Sequence, residues 1–238
     1  MYPKNKIYAI SGLKNSGKDT AAAMLQYLLN TPKFLHFYPC YKCISKIKNL
    51  GKYKVVSFAN PLKRTLSALL NVPIEKFSDR DFKENYYIFF PTLDITNNPP
   101  YNAEIVSDNA FARFLKNKNF EFLKTSWISI RQLLQVFGTE CMRETFGDKL
   151  WILTTLQEKR PIIISDLRFK VELSEIKSRR GITICIDRDI CIPGNHASEK
   201  EFVEMKNNNM FDYIILNNGT LEDLFNSLKS VLKNGNYR

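Results

Sequence analysis

Lys6-Ile7-Tyr8-Ala9-Ile10-Ser11-Gly12-Leu13-Lys14-Asn15-Ser16-Gly17-Lys18-Asp19-Thr20 is the stretch on which the fold turns. Its first half is a short apolar, β-rich run that stops at a glycine. After Thr20 the residues Met24, Leu25, Leu28 and Leu29 recur at helical spacing. Strand, loop and helix follow one another, and the loop matches G-x-x-x-x-G-K from Gly12 to Lys18. Glycine lets the backbone close around an anion, and the amides at the helix start point at it. Lys18 is then placed to reach β- and γ-phosphates. Gly12, Lys14, Asn15, Ser16, Gly17, Lys18, Asp19 and Thr20 are the expected nucleotide-phosphate contacts. Asp19 stands where a Ser or Thr usually touches Mg²⁺. It is expected to hold that ion directly or through water, with Thr20 turned to the α-phosphate.

Outward from the loop, apolar runs alternate with amphipathic ones. Val55-Val56-Ser57-Phe58-Ala59 reads as a second strand, and from Pro61 a helix lines up Leu62, Leu66, Leu69 and Leu70. Ser129 is a plausible N-cap for a helix carrying Ile130, Leu133, Leu134, Phe137 and Cys141 on one face. Pro161-Ile162-Ile163-Ile164-Ser165 is a fully buried strand, followed by a helix from Val171 that Gly181 closes. Ile182 to Ile186 and Tyr213 to Leu216 supply two more strands, and Thr220 caps a last helix with Leu221, Leu224, Phe225, Leu228, Val231 and Leu232 as its stripe. Five strands alternating with helices predict an α/β fold, a parallel sheet covered on both faces. Residues 31–53 and 72–127 break the alternation; Asn97-Asn98-Pro99-Pro100 marks a loop in the second, which reads as an insertion.

At 238 residues one domain spanning 1–238 is expected. No apolar run is long enough to span a membrane, and the first residues lack a signal peptide's apolar core, so an intracellular, cytoplasmic protein is expected. The five cysteines are odd in number and two, Cys141 and Cys185, fall in apolar segments, which favours reduced thiols. Cys40-Tyr41-Lys42-Cys43 has metal-ligand spacing, but no second Cys or His pair stands ready to complete a zinc site. A net charge of +11 draws anions without choosing among them. No nucleic-acid motif accompanies it, so stable nucleic-acid binding is not expected.

The loop's Ser11-Gly12-Leu13-Lys14-Asn15-Ser16-Gly17-Lys18-Asp19-Thr20 resembles that of bacteriophage-type deoxynucleoside monophosphate kinases, where G-K-D-T is characteristic. Five more segments agree in order: Phe58-Ala59-Asn60-Pro61-Leu62-Lys63, Arg131-Gln132-Leu133-Leu134-Gln135-Val136-Phe137-Gly138-Thr139-Glu140, Asp166-Leu167-Arg168, His196-Ala197-Ser198-Glu199, and Asn217-Asn218-Gly219-Thr220-Leu221-Glu222. Asn60 and Asn218 stand where relatives often carry Asp. The resemblance implies a P-loop kinase fold, ATP as donor with Mg²⁺, a deoxynucleoside monophosphate as acceptor and a homodimer. The 72–127 insertion is expected to form the monophosphate-binding subdomain, and 188–210 is a candidate lid. The alternatives are a kinase of another small phosphorylated metabolite, such as phosphomevalonate, and a basic nucleic-acid-binding protein with a degenerate loop.

Phosphoryl transfer needs positioned cations and metal ligands, because negative charge spreads over the oxygens in transit. Asp166, at the end of a buried strand, is the candidate for holding Mg²⁺ through water or activating the acceptor phosphate; Arg168 faces the same way. Lys63 and Arg131, early in their helices, with Gln132 and Arg143 beside them, are candidates for the acceptor phosphate. The plainer reading of each is a solvated helix charge. Arg188 is a candidate lid arginine. The resemblance implies that Asn218, Gly219 and Thr220 present the turn to adenine; the turn is equally a helix cap. His196 is expected to make a structural hydrogen bond, since an ionised acceptor phosphate needs no base. Trp127 and Trp151 are expected to pack against the core or a partner.

Overall fold

The computed structural model describes residues 7–30, 51–89, 103–105, 127–193 and 197–234. Cys40, Cys43, His196 and most of the 72–127 insertion beyond Phe89 lie outside them. The chain falls into two compact units, one of Met1–Phe58 with Ile152–Arg238, the other of Ala59–Trp151.

The first unit is built on a five-stranded sheet. Its strands are β1 (Ile7–Ser11), β2 (Lys54–Val56), β6 (Ile162–Leu167), β7 (Ile182–Asp187) and β8 (Tyr213–Leu216). They lie in the order β2-β6-β1-β7-β8, and every neighbouring pair is parallel. The expected P-loop kinase architecture, a parallel sheet between helices, is present. Two-residue periodicity sorts the side chains onto its faces. Tyr8, Ile10, Ile163, Ile184 and Ile186 point to one side, where α1 (Lys18–Asn30) and α9 (Leu221–Asn234) cover them. Ala9, Ile162, Ile164 and Cys185 point to the other, under α7 (Lys170–Ser178) and α8 (Ala197–Asn207). Burial on both faces explains why these strands read as unbroken apolar runs.

Two boundaries differ from expectation. The second strand ends at Val56, because the Phe58 amide donates to Asp166 Oδ1 at 2.7 Å and the next residue already begins a helix. Helix α7 is closed by Arg180, at φ +57°, and not by a left-handed glycine. Gly181 is needed for space: a Cβ there would stand 2.6 Å from Ile176 Cγ2.

The second unit begins with α2 (Ala59–Leu70), a 3₁₀ turn (Ile74–Ser78) and α3 (Arg80–Asn85), which Asp79 caps by accepting from the Phe82 amide at 2.8 Å. Strand β3 (Tyr87–Phe89) pairs parallel with β4 (Ala103–Ile105) and antiparallel with β5 (Trp127–Ser129). This small sheet lies where the sequence showed only a break in the alternation, because three-residue strands are too short to show a period. Helix α4 (Ile130–Val136) starts in a capping box formed by Ser129 and Gln132, then widens into a π-helical stretch (Phe137–Arg143) before α5 (Glu144–Phe146). Helix α6 (Leu150–Thr155) contains the boundary between the units. Leu62, Leu66, Phe77, Ile88, Ile130, Leu133 and Trp151 make the core, and Trp151 Nε1 donates to the Gly138 carbonyl at 2.9 Å.

Candidate phosphate-binding site

The loop from Gly12 to Gly17 leaves β1 at the centre of the first sheet and enters α1. Asn15 (φ +66°) and Gly17 (φ +93°) both adopt left-handed backbone, which curls the segment into a concave turn closed by Ser16 N donating to Leu13 O at 3.2 Å. At Gly12 a Cβ would meet Ser16 Oγ at 2.4 Å and the Ile186 carbonyl at 2.7 Å. Ser16 is fully buried, and its Oγ has no hydrogen-bond partner. A buried hydroxyl without a partner costs about 1–3 kcal/mol, a cost that a ligand oxygen bound in the loop would relieve. Lys18 Nζ donates to Leu13 O at 3.2 Å, which holds the ammonium over the loop. Burial pushes that ammonium below the usual lysine range, against the pull of Asp19; Arg168 adds to the push and Asp166 to the pull. Lys14 and Asp19 are exposed and Thr20 half-buried.

Asp166 lies at a register shift of β6 against β1, where Ala9 pairs with Ile164 but Ser11 with Leu167. The extra residue re-aims the strand end, as bulges do beside functional sites. Asp166 spends one oxygen on the Phe58 amide. Arg168 is exposed, and its own amide donates to Glu172 Oε2 at 2.8 Å, as does that of Phe169 at 3.1 Å. Arg188 reaches the loop itself, with Nη1 3.5 Å from the Asn15 carbonyl.

Beyond β8, Asn217 Nδ2 donates to the Ser16 carbonyl at 2.7 Å, tying this turn to the phosphate loop. Asn218 pairs with Asp189 in both directions, at 3.0 and 2.7 Å. Gly219 is exposed, and Thr220 and Asp223 form a reciprocal cap on α9, so the helix-cap reading of Thr220 holds.

A family described as deoxynucleotide monophosphate kinase matches residues 6–228, a span that includes every one of these groups. The chain belongs to that family. A protein of Acanthamoeba polyphaga mimivirus bearing the name "Putative deoxynucleotide monophosphate kinase" is 31% identical over 122 residues, which cover 44% of this chain and 61% of that relative. The chain thus spans about three fifths of the length of the curated relative it matches. Neither alternative drawn from the sequence, metabolite kinase or nucleic-acid binder, is favoured by these likenesses.

In this member of the deoxynucleotide monophosphate kinase family the remaining expected residues sit in the second unit. Lys63 Nζ donates to Ser78 Oγ at 3.3 Å, and Arg131 pairs with Glu84 at 2.8 Å. Gln132 Oε1 accepts from the Ser129 amide at 3.0 Å, so its side chain caps α4. Arg143, half-buried, ends the π-helical stretch.

Asn217 reads in the sequence only as part of the turn after β8, yet its side chain clamps the loop, and Glu172 escapes the sequence reading. Glu172 looks like a surface helix charge, yet it is 2% exposed and fixes the turn that carries Arg168. A glutamate at the third position of the helix, the capping-box place, is the signal that points to it.

Proposed function

We propose that the protein transfers the γ-phosphoryl group of ATP to a deoxynucleoside 5′-monophosphate, releasing ADP and the deoxynucleoside diphosphate. The observation that carries this reading is the phosphate loop: two left-handed residues, a glycine that excludes any Cβ, and a buried Ser16 hydroxyl without a partner. The family match supports the choice of acceptor.

An oxygen of the acceptor phosphate forms the new bond to the γ-phosphorus, and the bond to the β–γ bridging oxygen breaks, its electron pair leaving with ADP. The chain's contribution is position and charge. Loop amides and Ser16 hold donor oxygens, and Lys18 neutralises charge on the β- and γ-phosphates. Arg188 and Arg168 supply cations for the group in transit. Lys63 and Arg131 take the acceptor phosphate, with Gln132 and Arg143 beside them. Asn218 and Gly219 present the turn to adenine. Among the described residues there is no cluster of three or more His, Cys, Asp or Glu that could hold a metal ion by itself. Mg²⁺ suits such a place, because it takes one or two carboxylates and completes its shell with phosphates and water. Asp19 and Asp166 would hold it, and it would shield the phosphate charges.

The expected lid, 188–210, is proposed to act through Arg188, which precedes the helix that Phe202 and Met205 anchor in the core. No helix among the described residues is long and apolar enough to cross a membrane. A cytoplasmic homodimer is the proposed working form; exposed Ile214 and Leu216 on the edge strand β8 support self-association, which light scattering checks. The activity is tested by following ADP release with ATP, Mg²⁺ and each deoxynucleoside monophosphate in turn. Turnover with at least one is expected; none with any of them would overturn the reading.

A further inference from the structure

We propose that Lys83 is a third ligand for the acceptor's 5′-phosphate, grouped with Lys63 and Arg131 in one cationic cradle within the second unit. This rests on the activity proposed above and extends it to a residue that no motif picks out.

Three short connections bring the cations together. Lys63 lies on the second turn of α2 and donates to Ser78 Oγ at 3.3 Å, one residue before the Asp79 cap of α3. Lys83 lies within α3. Arg131 opens α4, whose first amide, Ile130 N, donates to the Tyr86 carbonyl just beyond α3 at 3.0 Å. Arg131 reaches back to Glu84, the neighbour of Lys83, at 2.8 Å. Glu84 also faces Arg80 at 3.6 Å, so one carboxylate is shared by two guanidinium groups.

Lys83 itself is half-buried and forms no ion pair among the described residues. Burial is the first reason its ammonium is held below the usual lysine range; the charges of Lys63 and then Arg131 push it further the same way, and Glu84 and Asp79 offset them only in part. Gathering like charges at a partly desolvated place is unfavourable unless an anion binds there. A solvated surface lysine explains neither the burial nor the company. A phosphomonoester, close to a dianion at neutral pH, brings Lys83 a negative charge and acceptor oxygens in the company of Lys63 and Arg131.

The test uses the full chain, with ATP and Mg²⁺ saturating and dAMP, dCMP, dGMP and dTMP as acceptors. Lys83→Met keeps the apolar stem, and its KM for the acceptor is expected to rise tenfold or more while the KM for ATP changes less than twofold. Lys83→Arg is expected to recover most of the loss. In a second arm the wild-type chain is trace-labelled with acetic anhydride and Lys83 is read by peptide mass spectrometry. Deoxynucleoside monophosphates should slow its acetylation severalfold, and the corresponding deoxynucleosides should not. An unchanged acceptor KM in Lys83→Met, or labelling that monophosphates leave unaltered, overturns the cradle. Failure of the wild-type chain to turn over any monophosphate removes the activity itself, and the labelling arm still decides Lys83.

Discussion

Gly12 and Gly17 are both required by the loop, but for different reasons. At Gly12 the obstacle is the Ile186 carbonyl of β7, backbone of a central strand that cannot recede. At Gly17 the near atom is the tip of Asn217, and the constraint is the left-handed backbone. Gly12→Ala is therefore expected to lower the melting temperature and abolish ATP binding, read by calorimetry on one sample. Gly17→Ala is expected to cost about 1 kcal/mol or more through strain, with weakened ATP binding. Lys18 gives a prediction of opposite sign. Its folded pKa lies below the ordinary 10.5, so the unfolded chain binds more protons between the two values and stability rises with pH across that window. At pH 7 the buried charge opposes folding. Lys18→Met should thus melt at or above the wild-type temperature at pH 7, with the advantage shrinking as the pH approaches 10.5, while kcat falls about a hundredfold or more. A variant that unfolds, or one that keeps its turnover, contradicts the role given to Lys18. At this scale the loop residues were legible because their types and spacing match G-x-x-x-x-G-K between a strand and a helix. Asn217 and Glu172 stayed hidden because their importance lies in partners distant along the chain or in burial, which spacing alone does not reveal.

Among the elements, the turn after β6 depends most on a single side chain. The bulge aims Asp166, and the buried Glu172 carboxylate takes the amides of Arg168 and Phe169. Glu172→Ala leaves both amides without that acceptor and is expected to cost about 1–3 kcal/mol in chemical denaturation. Glu172→Gln keeps one acceptor oxygen and should cost less, with kcat reduced more than the KM of either substrate because Arg168 loses its fixed base. Equal loss in the two variants would mean that the charge, and not the acceptor, holds the turn. The long β–α alternation was legible because each strand is buried on two faces and each helix shows a continuous stripe. The elements of the second unit were not, since β3, β4 and β5 are three residues each and the π-helical stretch shifts the helical period after Val136.

For the molecule as a whole, edge strand β2 is held at its side by Lys54, which pairs with Glu158 at 2.7 Å. That hydrogen bond, helped by the Arg160 amide, pulls the Glu158 carboxyl from 4.5 down to about 2. The contribution is present above pH 4.5 and is lost as the pH falls through about 2. Glu158→Gln should accordingly flatten the acid limb of the stability curve in that window and change little at neutral pH, since both groups are partly solvated. The net charge of +11 adds a long-range pull on nucleotide anions, so the KM for ATP and for the acceptor should both rise with ionic strength. Composition announced that pull without naming its target; the match to a kinase family implies a nucleotide. The most direct measurement of the central claim is ADP formation by the purified full chain with ATP, Mg²⁺ and each of dAMP, dCMP, dGMP and dTMP, beside a Lys18→Met control. Deoxynucleoside diphosphate formed in step with ADP by the wild type and at least a hundredfold slower by the control is the predicted result; no diphosphate from any of the four, or equal rates in the two proteins, would contradict it.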